Sequence, residues 1–404
     1  MSAISIAPYF PFHRAIVVGR RIHQEEERTR LFIRPDLRFA ARCSHCGCRG
    51  SPIHSWQERS VRDLNLGSHR VWLSTRYRKI HCPRCKAIHV EQMEMLDRSK
   101  RVTPRLARYI HELCKVMTVK QVAEHLGLDW KTVKNIDKTF LEKEYGTPDL
   151  SGLRIIAVDE IAIRKGHRYM TVVLDYLSGR VVWLGRGRKS ATLAAFFDAM
   201  ENEEKESLEA IAMDMWDPYI KAVREKVPHV KIVFDLFHVV AAFNRVIDKV
   251  RVDEYRKAAG EDRKVIAGSK FLLLSNRGKI RKREARRRLK KLLELNETIA
   301  AVMILRDQLK RIWSYRSRRW AAKRIREWCA LAGNVPHPKV KAFARQLQRY
   351  NYGILNHCDY SISTASLEGT NNKIKVIKRT AYGFHDERYF SLKVIQAFDQ
   401  RNRR

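Results

Sequence analysis

Between Leu153 and Trp183 short apolar runs alternate with turns. Leu153–Ile161 is apolar and rich in β-branched residues, and a polar Arg-Lys-Gly-His turn ends it. Tyr169–Leu174 is a second run, Ser178-Gly179 supplies turn chemistry, and Arg180–Trp183 begins a third. The pattern predicts three consecutive β-strands. It continues with an amphipathic helix over Ala191–Glu201, a strand over Leu208–Met213, a helix from Asp217-Pro218 and a strand over Val230–Phe234. The expected order is β-β-β-α-β-α-β.

Upstream, Ala15–Val18 and Arg30–Ile33 can pair as strands in an N-terminal segment, residues 1–40, that carries no evident chemistry. Residues 41–95 hold alternating strand patterns at Val71–Leu73 and Thr75–Ile80. Residues 99–145 switch to helical spacing: Leu106, Ile110, Leu113 and Met117 follow a helix start at Thr103-Pro104. Thr118 can cap a short helix with Val122, Ala123 and Leu126 inside, and Gly127 makes a turn. Asp129 caps a further helix with Val133 and Ile136 inside and Lys131, Thr132, Lys134 and Asn135 outside. This is a helix-turn-helix pattern, whose second helix presents polar residues to a major groove. A turn-rich linker closes the segment, and the strands follow from residue 152 to 240. Residues 241–360 read as long helices, with Leu292, Leu295, Ile299, Val302, Leu309 and Trp313 at coiled-coil-like spacing. In the last part, 361–404, Ser366 can cap a helix carrying Glu368 in its first turn, with Ile374 and Ile377 facing inward.

Charge sharpens this picture. The 404 residues include 81 Lys and Arg against 44 Asp and Glu, a net charge of +37. That excess points to a polyanionic partner. Residues 241–330 alone hold 27 basic against 10 acidic side chains, with Arg286, Arg287 and Arg288 in the densest stretch. Phosphate contact is the expected role, and Lys373, Lys375, Lys378 and Arg379 extend it on the last helix. No apolar run of about 18 residues exists to span a membrane. No signal peptide opens the chain, so the expected location is the bacterial cytoplasm, on the nucleoid.

Four of the eight cysteines form two Cys-x-x-Cys pairs, Cys43/Cys46 and Cys82/Cys85. Two such knuckles place four thiolates around one structural Zn²⁺ in a zinc ribbon. So short a segment has little core of its own, and metal would supply the missing stability. His45 and Cys48 are alternative ligands within the first knuckle.

Asp159 and Glu160 emerge from the first apolar run, and Asp214 follows the fourth strand. A carboxylate on a central strand is costly unless a cation or hydrogen bonds meet it. A metal ligand is therefore the expectation for Asp159; the plain alternative is a solvated strand end. If the first and fourth strands are neighbours, Asp159 and Asp214 face each other, which is the ribonuclease H topology.

Taken together, the ribbon, the helix-turn-helix, AVDEIAIRKGHRY, MDMWDPYIKAV with FDLFH downstream, and LEGTNNKIKVIKRTAYGF resemble the ISL-three family of bacterial insertion-sequence transposases over nearly the whole chain. The resemblance implies an α/β catalytic core of ribonuclease H-like topology, interrupted by an all-α insertion and preceded by the ribbon and helix-turn-helix. It implies an acidic triad at Asp159, Asp214 and Glu368, with Asp217 a competing second acid. Asp235 and His238 form an Asp-x-x-His that looks like the Cys-x-x-His of related eukaryotic transposases, implying a supporting role. The implied activity is that of a DDE transposase, with metal-dependent DNA cleavage and strand transfer at terminal inverted repeats. Two Mg²⁺ ions, or Mn²⁺ in their place, about 3.5–4 Å apart suit in-line attack on phosphorus. Hard cations of this kind take oxygen ligands, consistent with carboxylates rather than His or Cys. Asp159 is expected to bridge both ions, with Asp214 on one and Glu368 on the other. The expected partners are double-stranded DNA, as terminal repeats and as target, and further copies of the chain in a homodimer or larger assembly on DNA. The alternative is a transposase-derived DNA-binding regulator with an idle nuclease core.

Overall fold

A computed structural model describes residues 12–96, 101–164, 168–275, 278, 280–362, 365–381 and 383–399. The chain divides into two compact units. One comprises the residues through Gly146 with Thr380–Gly383, and the other Thr147–Arg379 with the residues from Phe384 onward.

The first unit joins a sheet to three helices. Its strands are β1 (Ala15–His23), β2 (Arg28–Pro35), β3 (Ile53–Arg62), β4 (Arg70–Cys82) and β5 (Ala87–Val90). They run in the order β1-β2-β4-β3, with β5 also paired to β4. The N-terminal strands are therefore part of the ribbon's sheet: β2 lies parallel to β4, with Leu31 opposite Leu73. The reason is the alternation in β2, which buries Leu31 and Ile33 with Val61, Val71 and Leu73. The two strands expected over Val71–Leu73 and Thr75–Ile80 are one 13-residue strand, because the alternation runs unbroken through Thr75.

The three helices are α1 (Pro104–Val116), α2 (Val119–Leu126) and α3 (Trp130–Tyr145). Thr103, Thr118 and Asp129 cap them as the sequence predicts. Thr118 and Gln121 form a reciprocal capping box. Gly127 ends α2 in the left-handed region, at φ 61°, where a β-carbon would be strained and would also meet the Arg70 guanidinium. Two buried polar links bind sheet to helices. Asp63, fully buried, accepts from Thr103 Oγ1 at 2.7 Å and from Arg105. Arg62 donates to the Leu126 carbonyl at 3.4 Å. Inside the bundle, His111 on α1 meets Asp137 on α3 at 2.7 Å, both buried.

In the second unit the strands are β6 (Ile155–Arg164), β7 (Arg168–Asp175), β8 (Val181–Arg186), β9 (Ala210–Met213) and β10 (Lys231–Phe234). Their order is β10-β9-β6-β7-β8. β6, β7 and β8 pair antiparallel in sequence, while β9 lies parallel to β6 and β10 parallel to β9. The first and fourth strands of this sheet are thus neighbours, as expected. α4 (Ser190–Asp198) and α5 (Asn202–Glu206) run between β8 and β9, and α6 (Asp217–Lys226) between β9 and β10.

Helices follow the last strand: α7 (Leu236–Lys257), α8 (Gly260–Ile266), α9 (Lys270–Leu274), α10 (Arg283–Leu295), α11 (Glu297–Ile312), α12 (Arg318–Asn334), α13 (Pro338–Arg349) and α14 (Asn351–Leu355). The stretch with coiled-coil-like spacing is broken at Asn296, whose side chain caps α11 through the Ile299 amide at 2.8 Å. The chain ends in α15 (Ala365–Thr380) and α16 (Glu387–Phe398). Ser366, expected as a cap, falls inside α15, and its side chain lies outside the described residues.

The sheet separates two cores. Successive strand residues point to opposite faces. Ile156, Val158, Ile211 and Met213 pack with α4, α6 and the inserted helices, where Phe243, Trp328 and Phe343 cluster. Ala157, Ile161, Ala210 and Ala212 pack instead with Leu367 and Ile374 of α15 and Phe390 and Val394 of α16. That alternation decides which acids share a face.

Candidate active site and DNA-binding elements

Along β6 and β9 the register is constant: Ile155 stands opposite Ala210, Ile156 opposite Ile211 and Ala157 opposite Ala212. The paired register ends there; Asp159 and Asp214 follow two residues on at the same offset, and the charges of both act on His238. Parity puts both on the face that α15 covers. The two carboxylates are held alike. Asp159 Oδ1 accepts from the Glu160 amide at 2.7 Å, and Asp214 Oδ1 from the Met215 amide at 2.6 Å. Each second oxygen meets a side chain. Asn371 on α15 donates to Asp159 Oδ2 at 2.5 Å. The His238 ring lies 3.5 Å from Asp214 Oδ2 and 3.6 Å from Asp235.

Glu368 is exposed in the first turn of α15, one helical turn before Asn371. Residues three apart share a helix face, so Glu368 lies on the side of α15 that carries Asn371. The three acids do not stand among the described groups whose ligand atoms all lie within 4.8 Å of one another. Their donor chemistry, three carboxylates on one face, fits a hard divalent cation.

His238 ties the second acid to the start of α7. Burial opposes its protonation, but Asp214, then Asp159 and Asp235, raise its pKa to about 9. It is therefore cationic at neutral pH. Burial likewise pushes the Asp214 carboxyl up, and the hydrogen bond and charge of His238 outweigh it, with help from the Met215 amide and Arg245. The net result holds Asp214 below the usual carboxylate range. Asp235, buried at the start of α7, accepts from the Phe237 amide at 2.6 Å and caps that helix. Asp217 is engaged elsewhere: it accepts from Tyr350 Oη at 2.5 Å and from Arg349 at 3.2 Å, tying α6 to the inserted helices. Glu160 points away from Asp159, toward Arg188 at 3.5 Å. Burial lifts its carboxyl above the usual range; Arg188 opposes this, while Asp159 and Asp214 add to it.

In the first unit Cys43, Cys46, Cys82 and Cys85 come together, with their sulfurs all within 4.8 Å. Tetrahedral Zn–S bonds near 2.3 Å imply sulfur–sulfur spacings of about 3.8 Å, so the cluster fits zinc. The Cys85 amide and neighbouring thiols lower the Cys82 pKa to about 6, while Cys46 and burial push Cys85 up to about 12. His45 forms a second grouping with Cys85 and His89, and the two rings stack at 5.3 Å. His89 was not singled out from sequence; only the pairing of β5 with β4 brings it to the knuckle.

On α3, Lys131 and Asn135 are exposed and Thr132 and Lys134 half-buried. Lys131 stands 5.8 Å from the Trp130 ring. Arg286, Arg287 and Arg288 are exposed on α10. Arg286 also donates to the Ile280 carbonyl at 2.6 Å, and Arg288 to that of Ala267. On α15, Lys375 and Arg379 are exposed. Lys373 donates to the Ala397 carbonyl and lies over the Phe398 ring, and Lys378 donates to the Ala162 carbonyl at 3.2 Å. Those two lysines serve packing as well as charge.

Comparison with known proteins draws these elements together. A transposase family model of the ISL3 DDE type matches residues 156–394, the span from β6 through most of α16. The chain belongs to transposase family ISL3. The family's helix-turn-helix model matches residues 91–141, and a model described as the zinc finger of the IS204/IS1001/IS1096/IS1165 transposases matches 40–85. The transposase for insertion sequence element IS1001 of Bordetella parapertussis is 38% identical over 371 residues, 91% of each chain. The transposase for IS1557 of Mycobacterium tuberculosis is 25% identical over 381 residues, 87% of this chain and 84% of that one. As an ISL3 transposase, the chain carries helix-turn-helix and transposase domains that imply DNA binding. Among the described residues no helix is long and apolar enough to cross a membrane.

Proposed function

We propose that this chain is a DDE transposase that binds the terminal inverted repeats of its insertion sequence and catalyses metal-dependent DNA cleavage and strand transfer through a ribonuclease H-like core. The observation that supports the reading is the β6–β9 register, whose offset equals that between Asp159 and Asp214, together with the contact of Asn371, three residues after Glu368, with Asp159. The strand order β10-β9-β6-β7-β8 with an all-α insertion supports the ribonuclease H-like assignment.

Asp159, Asp214 and Glu368 are the residues that would hold the divalent ions. Bound Mg²⁺ would activate the attacking hydroxyl and stabilise the leaving oxygen. Asn371 orients the Asp159 carboxylate, and cationic His238 holds Asp214 ionised. Asp235 keeps His238 in place. The helix-turn-helix reads the repeat with Lys131, Thr132, Lys134 and Asn135, while Arg286–Arg288, Lys375 and Arg379 contact phosphates. The cysteine cluster holds a structural Zn²⁺. The protein acts on the bacterial nucleoid, as a homodimer or larger assembly on DNA.

The test is incubation of the purified chain with a labelled terminal-repeat duplex in Mg²⁺ or EDTA. Strand-specific nicks at the repeat end in Mg²⁺ alone are expected. Intact duplex in both would contradict the proposal.

A further inference from the structure

A cleft of about 1160 Å³ opens between the β8–α4 loop and the start of α6. Six of its lining residues are Arg or Lys and two are acids. Trp216 and Tyr169 supply aromatic surface in its wall. The Arg188 guanidinium lies 4.3 Å from the Tyr169 ring and 5.2 Å from Trp216. The indole is fixed in turn, since Trp216 Nε1 donates to the Arg188 carbonyl at 3.1 Å. Gly187, at φ 98°, lets the loop turn back at this point.

The cleft opens on the sheet face that Glu160 and α6 share, at the strand ends that carry Asp159 and Asp214 on the other face. Trp216 follows Asp214 by two residues, and its amide donates to the Asp214 carbonyl at 2.8 Å. Arg188 pairs with Glu160, the chain neighbour of Asp159. Cations combined with aromatic rings suit a nucleic-acid strand: phosphates meet the charges, and a base stacks on an aromatic or guanidinium plane. Pockets for drug-sized ligands run to about 300–1,000 Å³, so a cleft of this scale suits one or two nucleotides. A base inside a duplex has both faces stacked, whereas an unpaired base has a face free to stack on the Trp216–Arg188–Tyr169 cluster.

We propose that this cleft binds unpaired nucleotides of a DNA strand, with a base against the Trp216–Arg188–Tyr169 cluster and phosphates against Lys189 and Lys221. The inference rests on the reading of the core as one that works on DNA strands.

The experiment uses the full chain in EDTA, so no cleavage is needed for the readout. The probe is dodecathymidylate carrying one 5-iodouracil, photo-crosslinked and mapped by mass spectrometry, with a blunt duplex as comparator. Crosslinks at Trp216 or Tyr169 are expected. Trp216→Ala should weaken binding of the single strand about ten-fold, and Trp216→Phe should retain it. Lys189 and Lys221 are exposed, so Lys189→Glu with Lys221→Glu leaves packing intact. That pair should weaken single-strand binding and leave the blunt duplex little changed. Crosslinks confined to other regions, or equal losses for strand and duplex, would overturn the proposal. Failure of the wild type to nick a terminal-repeat duplex would refute the transposase reading while leaving this crosslinking result to stand or fall separately.

Discussion

Asn371 Nδ2 donates to Asp159 Oδ2 at 2.5 Å across 212 residues of sequence. This bond, with that of Lys378 to the Ala162 carbonyl, joins α15 to the first strand of the sheet. Groups that orient metal ligands typically cost about 10–100-fold in activity or metal affinity when removed. Asn371→Ala should therefore lower cleavage by that order while terminal-repeat binding persists. Excess Mn²⁺ should recover part of the loss. Wild-type cleavage by Asn371→Ala would mean that the contact orients nothing.

The cysteine cluster should hold one zinc per chain. Cys82→Ser should unfold the sheet of β1–β5 and abolish repeat binding, because that short segment depends on its metal. The second unit has its own core and should melt at an unchanged temperature. Metal analysis that finds no zinc in the wild type would refute this.

Lys131→Ala with Lys134→Ala should weaken repeat binding and reduce the slope of log K against log salt by roughly one unit per lost phosphate contact. Thr132→Ala with Asn135→Ala should instead relax sequence preference, if those side chains reach base edges. Asp137→Ala is a different lesion. It strips the buried His111 of its partner and should cost about 2–4 kcal/mol of stability in the helix-turn-helix. Thermal melting of the first unit separates the two effects.

Among the α10 arginines, Arg287 gives the cleanest test, since Arg286 and Arg288 also tether neighbouring carbonyls. Arg287→Ala should reduce affinity for any DNA sequence about equally. A loss confined to the terminal repeat would argue against backbone contact by α10.

Strands and helices with strong periodicity were legible before any coordinates. β6 to β10 and the capped helices α1 to α3 lie where the apolar spacing puts them, because each buries one face and each cap satisfies its own helix end. β3 was not, since Ile53–Arg62 is mostly exposed and earns its place only by pairing with β4. The union of β1 and β2 with the ribbon was also hidden, as parallel pairing between Leu31 and Leu73 leaves no local signature. At the site, the adjacency of β6 and β9 that the Asp159–Asp214 reading needed is found in the sheet. Asn371 was not legible, although its position three residues after Glu368 was a usable signal; which face of α15 meets the sheet is settled by Leu367 and Ile374. The role of Asp217 likewise emerges only from its contacts with Tyr350 and Arg349.

The central claim is that three acids distant in sequence form one metal-dependent site, and single-residue loss tests it most directly. Asp159→Ala, Asp214→Ala and Glu368→Ala are each assayed for nicking and strand transfer of a terminal-repeat duplex in Mg²⁺, with binding measured in parallel. Each variant should bind the duplex as the wild type does and should neither cleave nor join it. Glu368 is exposed, so Glu368→Ala should change apo stability little, whereas Asp214→Ala also strips His238 of a partner. Cleavage at the wild-type rate by all three variants would contradict the account.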